Sequence, residues 1–277
     1  MGGPRQPPVP GTIPPGRYPM SGVVRSEWTK LRSVPSTRWS LAATVVLAVG
    51  IGILATAVVA SRWRNLGLID RITFDPVQQS LTGLLFAQLS IGVLGVLVVS
   101  AEYGTGTVRT TFAASPHRAR VLTAKVAVFG FTAFVVSEAL SFAAFFIGQS
   151  ILAGSTPSAT LGSPGALRAV FGGGVYLAVL GLLALGLAAV VRHTAGAISL
   201  FVGVLLILPL ILQALPTSVV DAVGKYLPAN IGAAVTATRT HPGLHPTLPP
   251  WAGIGLLCCY AAAMLVLGGW TMVRRDA

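Results

Sequence analysis

Residues able to do acid–base, nucleophilic or metal chemistry are few in this sequence. It holds seven carboxylates, four histidines and two cysteines in 277 residues. No two carboxylates share a helix face at a spacing suited to general acid–base work. His241 and His245 stand four apart, but Pro242 between them breaks the helix a two-histidine metal site needs. Cys258 and Cys259 are adjacent, a spacing that rarely bridges, and nothing nearby completes a zinc tetrahedron. They read as two small packing residues of a helix. The G-x-S-x-G nucleophile motif is absent. Lys30, Lys125 and Lys225 are followed by Leu, Val and Tyr, so none is the lysine of a P-loop. No metal, cofactor or nucleotide is expected on this chain. If its work consumes ATP, another subunit binds it.

Glu138 stands apart. It lies near the middle of a long apolar run, with Ser141 and Gln149 at i+3 and i+11 on about the same helix face. An ionisable group in such a run faces a bundle interior or a wet cavity. Glu138, Ser141 and Gln149 are therefore candidates for lining a translocation path. The other reading of Glu138 is a protonated or hydrogen-bonded structural carboxyl.

The elements that carry these residues follow from composition. Hydrophobic residues make up 53% of the chain and charged ones only 9%, against about 25% charged in soluble domains. The charges gather between long apolar runs, as in a membrane protein. Six runs are long enough to cross a bilayer, near 40–60, 80–100, 122–151, 168–191, 195–215 and 251–273. The expected fold is an all-α polytopic membrane protein with six transmembrane helices in the domain 40–277. The net charge of +12 belongs to loop flanks rather than to a nucleic-acid face, and no aromatic-basic RNA motif appears. Thirteen Lys and Arg lie on one side of the spans and six on the other. The richer side is cytoplasmic, so both termini are expected on the cytoplasmic side of the membrane.

Residues 1–20 contain seven prolines and no apolar cluster, and read as a disordered tail with no signal-peptide core. In 21–39, Val24, Trp28 and Leu31 recur at helical spacing among Arg25, Lys30 and Arg32, which predicts an N-terminal amphipathic helix in the membrane interface. Pro35 ends or kinks it. The third span is expected to begin as an interfacial turn around Lys125. Only Arg192, His193 and Thr194 divide the fourth and fifth spans, which makes a tight hairpin. Pro209 kinks the fifth span and frees a carbonyl. Beyond it, 217–227 predicts a short amphipathic helix ending at Pro228, and Pro242, Pro246, Pro249 and Pro250 make a stiff link.

The loop 101–125, AEYGTGTVRTTFAASPHRARVLTAK, is too patterned for a bare connector. Gly104, Thr105, Gly106 and Thr107 precede a short helical stretch, Val108–Ala114, and Pro116 and a basic exit follow. Such a loop can present a small helix to a soluble partner.

The pair SEWTKLRSVPSTRW before the first span and EYGTGTVRTTFAASPHRARVLTAK after the second resembles actinobacterial ABC transporter permeases of the type-2 exporter class. The likeness extends over about residues 21–275, including LPANIGAAV at 227–235. It implies a permease dimer, homodimeric or heterodimeric, with a separate ABC-type ATPase subunit that binds the ATP. It also implies an interfacial connecting helix carrying Glu27, Lys30 and Arg32, and external re-entrant helices at 217–235. A cytoplasmic coupling helix region at 102–120 would dock on the ATPase through Glu102, Thr105, Gly106, Thr107, Arg109, Arg118 and Arg120. The chain itself is then not an enzyme, and its partners are the ATPase, a second permease and membrane lipids, with no nucleic acid. A membrane scaffold or assembly protein and a secondary transporter are the alternatives. The halves lack the matching motifs expected of a secondary transporter.

Overall fold

The structure is a computed structural model that describes residues 20–104, 118–239 and 246–275. Among these residues every regular element is helical. Helix α1 spans Met20–Ser33. Val34 is extended, and Pro35 starts α2, which reaches Asn65. A proline suits the first helical position because no N–H is needed there. Two short helices follow, α3 (Leu68–Ile72) and α4 (Pro76–Ser80). Next come α5 (Leu84–Gly104), α6 (Arg118–Leu152), α7 (Ala166–Val191) and α8 (Thr194–Gln213). Then α9 (Thr217–Val223), α10 (Pro228–Thr236) and α11 (Pro250–Arg275) complete the order.

Six of these helices, α2, α5, α6, α7, α8 and α11, are long and apolar enough to cross a membrane. Their positions match the six runs expected from the sequence. The described residues are thus all-helical, with the composition of a multi-pass membrane protein.

Helix α7 forms the centre, packed by α5, α6 and α11 along its length and by α10 near its start. Its small residues explain how so many neighbours fit. A Cβ on Gly95 of α5 would collide with the Gly181 carbonyl of α7, and one on Gly186 would stand 2.8 Å from the Leu265 backbone of α11. Ala184 and Ala188 are fully buried in the same core. Small residues let helix backbones approach where lipid offers no hydrophobic drive. In this chain they serve the internal bundle. By contrast α2 and α8 leave most of their apolar surface uncovered, including Val46, Leu54, Leu210 and Ile211.

Two spans contain a wider π-type turn. In α8 it covers Gly203–Ile207, ending two residues before Pro209. Pro209 has no N–H to donate, and its ring would meet the carbonyl one turn back. The wider turn absorbs that mismatch, as expected for a kinking proline. The turn in α2, Val46–Ile51, had no sequence signal. There Gly83 lies against the Ala48 carbonyl with no room for a side chain.

Two expectations are corrected. Helix α6 runs unbroken from Arg118, so no turn occurs at Lys125, which is buried. A long side chain at that depth is compatible with helix because it finds a carboxylate, described below. Cys258 and Cys259 are helical but exposed on the outside of the bundle, not packed within it. Their apolar neighbours face the membrane zone, where a small thiol needs no partner.

The tight hairpin holds. Arg192 adopts the left-handed conformation (φ 59°) that closes α7, and His193 Nδ1 accepts the Gly196 N–H to cap α8. The region 217–227 forms α9 with a further turn, and Pro228 opens α10 rather than only ending a helix. The expected tail at 1–20 lies outside the described residues apart from Met20, and so do Val108–Ala114 and Pro242.

Candidate functional site

Glu27 comes to its site because α1 turns Val24, Glu27 and Leu31 inward while Arg25 and Arg32 stay exposed. The buried face packs on α6. There the Glu27 carboxylate accepts from Lys125 Nζ at 2.6 Å and from Lys30 Nζ at 2.8 Å. Glu27 and Lys125 are 4% and 6% exposed at the side chain. Charge-assisted bonds of this length are the strong kind. Glu27 is therefore turned to the inside of the fold, Lys30 is its partly exposed partner, and Arg32 and Arg120 face outward. Thr105, Gly106, Thr107 and Arg109 lie outside the described residues. Glu102 ends up near the end of α5 and Arg118 opens α6.

The three candidate path residues separate. Ser141 Oγ donates to the Val170 carbonyl at 2.6 Å, tying α6 to α7. Gln149 Nε2 donates to the Pro76 carbonyl at 2.8 Å and to Ser80 Oγ at 2.9 Å, and its Oε1 accepts the Ala159 N–H at 2.6 Å. Both are committed to holding helices together. Glu138 is not. Its carboxylate rests on Gly174, where a Cβ would stand 2.5 Å from the carboxyl carbon. Both oxygens are cut off from solvent, and neither has a hydrogen bond of good geometry among the described residues. The Val175 backbone amide lies beside them. An ionised carboxylate left so would be costly.

Aromatic rings border this place. Phe134, one turn before Glu138, meets Phe171, one turn before Gly174, edge to face at 6.4 Å. Phe171 in turn lies 6.4 Å from Trp251 at the start of α11.

At the opposite end of the bundle from Glu27, Asp75 organises the connections. Its carboxylate caps α4 by accepting the Val77 and Gln78 amides at 3.0 and 3.1 Å. It also accepts the Thr238 N–H and hydroxyl at 2.6 and 2.9 Å and the Arg239 N–H at 3.1 Å. Arg168 donates to the Val235 and Ala237 carbonyls at 3.1 and 2.6 Å, closing the end of α10. Asp75 borders a cavity of about 310 Å³, whose lining includes Thr73, Gln78, Gln79, Thr82 and Thr236.

No protein-family model matches this chain, and no curated protein matches it significantly. The functional reading rests on the residues above.

Sequence reasoning did not single out Asp75, Arg168 or the role of Lys125. Asp75 had a signal, because Asp followed by Pro is a helix start. Lys125 also had one, a cation embedded in an apolar run that requires a partner. Its partner, 98 residues away, had none.

Proposed function

We propose that this chain is the membrane-spanning permease subunit of an ATP-driven exporter in a bacterial plasma membrane. It would work as a dimer and move a hydrophobic or amphipathic substrate by alternating access. Hydrolysis of ATP takes place on a separate subunit, in keeping with the absent P-loop. The resemblance of the two motif segments supports this reading.

The observation that carries it furthest is the Glu27–Lys125 pair. Segment 102–120 leads straight into α6, a continuous helix of 35 residues. Helix α1 is pinned to the base of that same helix. A push on 102–120 would therefore move α1 and a whole span together, as a coupling element requires. On this reading α1 is the interfacial connecting helix, 102–120 contains the coupling helix, and α9 with α10 are the external re-entrant pair. On this reading six crossings would leave both ends on one side, and the 13 to 6 charge asymmetry supports the cytoplasm as that side.

The test is purification of the tagged chain from its own cells, followed by transport in membrane vesicles. A stoichiometric ATPase subunit and ATP-dependent transport are expected. Transport driven by an ion gradient, with no ATPase recovered, sinks the exporter reading. Topology is checked separately. A cytoplasm-active reporter should work after Ala277 and a periplasm-active one near Gly243, whereas an external C-terminus removes the six-span arrangement.

A further inference from the structure

We infer that the Glu138 carboxyl and the aromatic rings beside it form an intramembrane binding site for a lipophilic organic cation. The inference depends on the exporter reading only in that the bound cation would then be cargo.

The first ground is charge. Between Lys125 and Arg168 Glu138 is the sole charged residue, and the segments 39–61, 76–101, 193–220 and 246–273 contain none. The two cations that bound this stretch are engaged elsewhere, Lys125 with Glu27 and Arg168 with the Val235 and Ala237 carbonyls. The second ground is fit. Gly174 leaves the volume that the carboxyl fills, and any larger residue there would exclude it. A carboxyl placed against a glycine yet given no donor of good geometry is not held there by its own bonds. Ser137 Oγ, next to it along α6, is likewise buried without a partner among the described residues, and the other polar side chains nearby are engaged elsewhere. Ser141 is bonded to Val170 and Gln149 to Pro76, Ser80 and Ala159. The Tyr176 hydroxyl donates to Gln88 at 2.6 Å.

The third ground selects the ligand class. A hard metal ion takes six or more oxygen ligands, and this place offers one carboxylate. The described residues contain no group of three metal-ligating side chains. A delocalised organic cation needs only one opposite charge and apolar or aromatic contact, which Phe134 and Phe171, one turn from Glu138 and Gly174, supply. Access is lateral. Phe131, Phe134 and Val135 are exposed on this face of α6, and exposed side chains change rotamer in picoseconds to nanoseconds. Swinging Phe134 aside admits an amphipathic cation from the bilayer, and the cation replaces the proton of the neutral acid.

Binding is therefore strengthened by raising pH, since only the carboxylate attracts the cation. No other group near the site confuses that dependence. On α7 Tyr176 is bonded to Gln88, and Arg168, at the helix start, is bonded to α10 carbonyls. On α6 and α1, Lys125 and Lys30 hold Glu27. The Asp75 that caps α4 is taken by backbone donors. Helices α5 and α10 bring no charged side chain beyond Glu102 at the end of α5. Helix α2 carries only Arg38, Arg62 and Arg64, near its two ends, and α11 has Cys258, Cys259 and Tyr260 in its span and Arg274 and Arg275 at its end.

The test uses the full chain in phosphatidylcholine liposomes with radiolabelled tetraphenylphosphonium as probe and no ATPase present, so that failure overturns this site and leaves the exporter reading standing. Wild type should retain the probe more tightly as pH rises, and excess potassium should not compete. Glu138→Gln should lower affinity at least about tenfold, with Glu138→Asp losing less. As a second measurement, dicyclohexylcarbodiimide is applied to wild type and the adduct located by mass spectrometry. The protonated carboxyl gives its proton to a carbodiimide nitrogen while its oxygen bonds the central carbon, so only the neutral acid reacts. Labelling at Glu138 that the probe suppresses is the expected result. Equal probe binding by wild type and Glu138→Gln, competition by potassium, or labelling that the probe leaves unchanged overturns the proposal.

Discussion

Glu27 and Glu138 both carry a carboxylate out of water, on helices α1 and α6 that pack together, and the fold treats them oppositely. Glu27 is met by two lysines at 2.8 and 2.6 Å. Glu138 is met by a glycine and no donor of good geometry. The first arrangement fixes a geometry: once both lysines are engaged, α1 cannot slide along α6 without exposing a charge. The second fixes nothing, because no bond is lost when the carboxyl changes protonation or gains a ligand. Burial alone does not separate a structural acid from a functional one, whereas the presence or absence of a partner does.

The largest effect should come from removing the buried cation at the first site. Lys125→Met keeps an apolar-compatible stem but leaves Glu27 facing α6 without its buried partner. Breaking one side of a buried ion pair typically costs about 3–5 kcal/mol. The thermal midpoint in detergent should fall, and α1 should become open to protease at Arg25 or Arg32. The exchanged pair Glu27→Lys with Lys125→Glu should recover part of the loss. An unchanged midpoint in Lys125→Met would show that α1 is held by its apolar face alone, through Val24 and Leu31.

Next in size is coupling. Glu102 and Arg118 bracket the segment that would face the ATPase, and neither lies in the core of an apolar run. Truncating one member of a buried charged pair at an interface costs about 2–5 kcal/mol, and a rim charge far less. Glu102→Ala and Arg118→Ala should lower transport and weaken recovery of the ATPase, with membrane insertion unchanged. Full recovery and full transport in the double variant would remove this loop from the mechanism.

Asp75 offers a third case, a carboxylate matched by backbone and hydroxyl donors instead of lysines. Asp75→Ala orphans the amides of Val77, Gln78, Thr238 and Arg239, each of which it now accepts from. Some of these donors will find water at the bundle end, so a loss of about 1–3 kcal/mol is expected. Faster tryptic cleavage at Arg239 would report the release, and no change there would mean that Arg168 alone holds the end of α10.

How much of this was legible in the sequence depends on range. The six spans, the break at Val34 and Pro35, the hairpin at Arg192 and the kink at Pro209 follow from local chemistry, because apolar length and proline act on their own neighbours. Glu138 was visible for the same reason, as a charge in an apolar run. Its neighbours Ser141 and Gln149 were grouped with it by helical spacing alone. The structure separates them, since Val170, Pro76 and Ser80, which claim them, belong to other elements. Lys125 was placed in a turn because a charge suggested an edge. Its burial depends on a carboxylate from α1 that no periodicity could have supplied. The π-turn in α2 answers a contact with Gly83 across the bundle, which is likewise not a local property.

The smallest effect, and the sharpest use of the comparison, concerns Glu138→Gln against Glu27→Gln. A glutamine is nearly isosteric with a neutral glutamic acid. At Glu138 the exchange removes no hydrogen bond of good geometry, because neither oxygen makes one now. The new amide keeps the same fit against Gly174, and its cost is that of an amide in place of an acid in apolar surroundings. That difference should stay within about 1 kcal/mol, at the level of substitutions that break no specific interaction. At Glu27 the same exchange takes a negative charge away from two lysines and leaves Lys125 buried, so its midpoint should fall by several times more. Thermal unfolding of the two variants beside wild type measures both at once. If Glu138→Gln destabilises as much as Glu27→Gln, the carboxyl at Glu138 is a structural anchor, and the distinction between a partnered and an unpartnered acid fails for this fold.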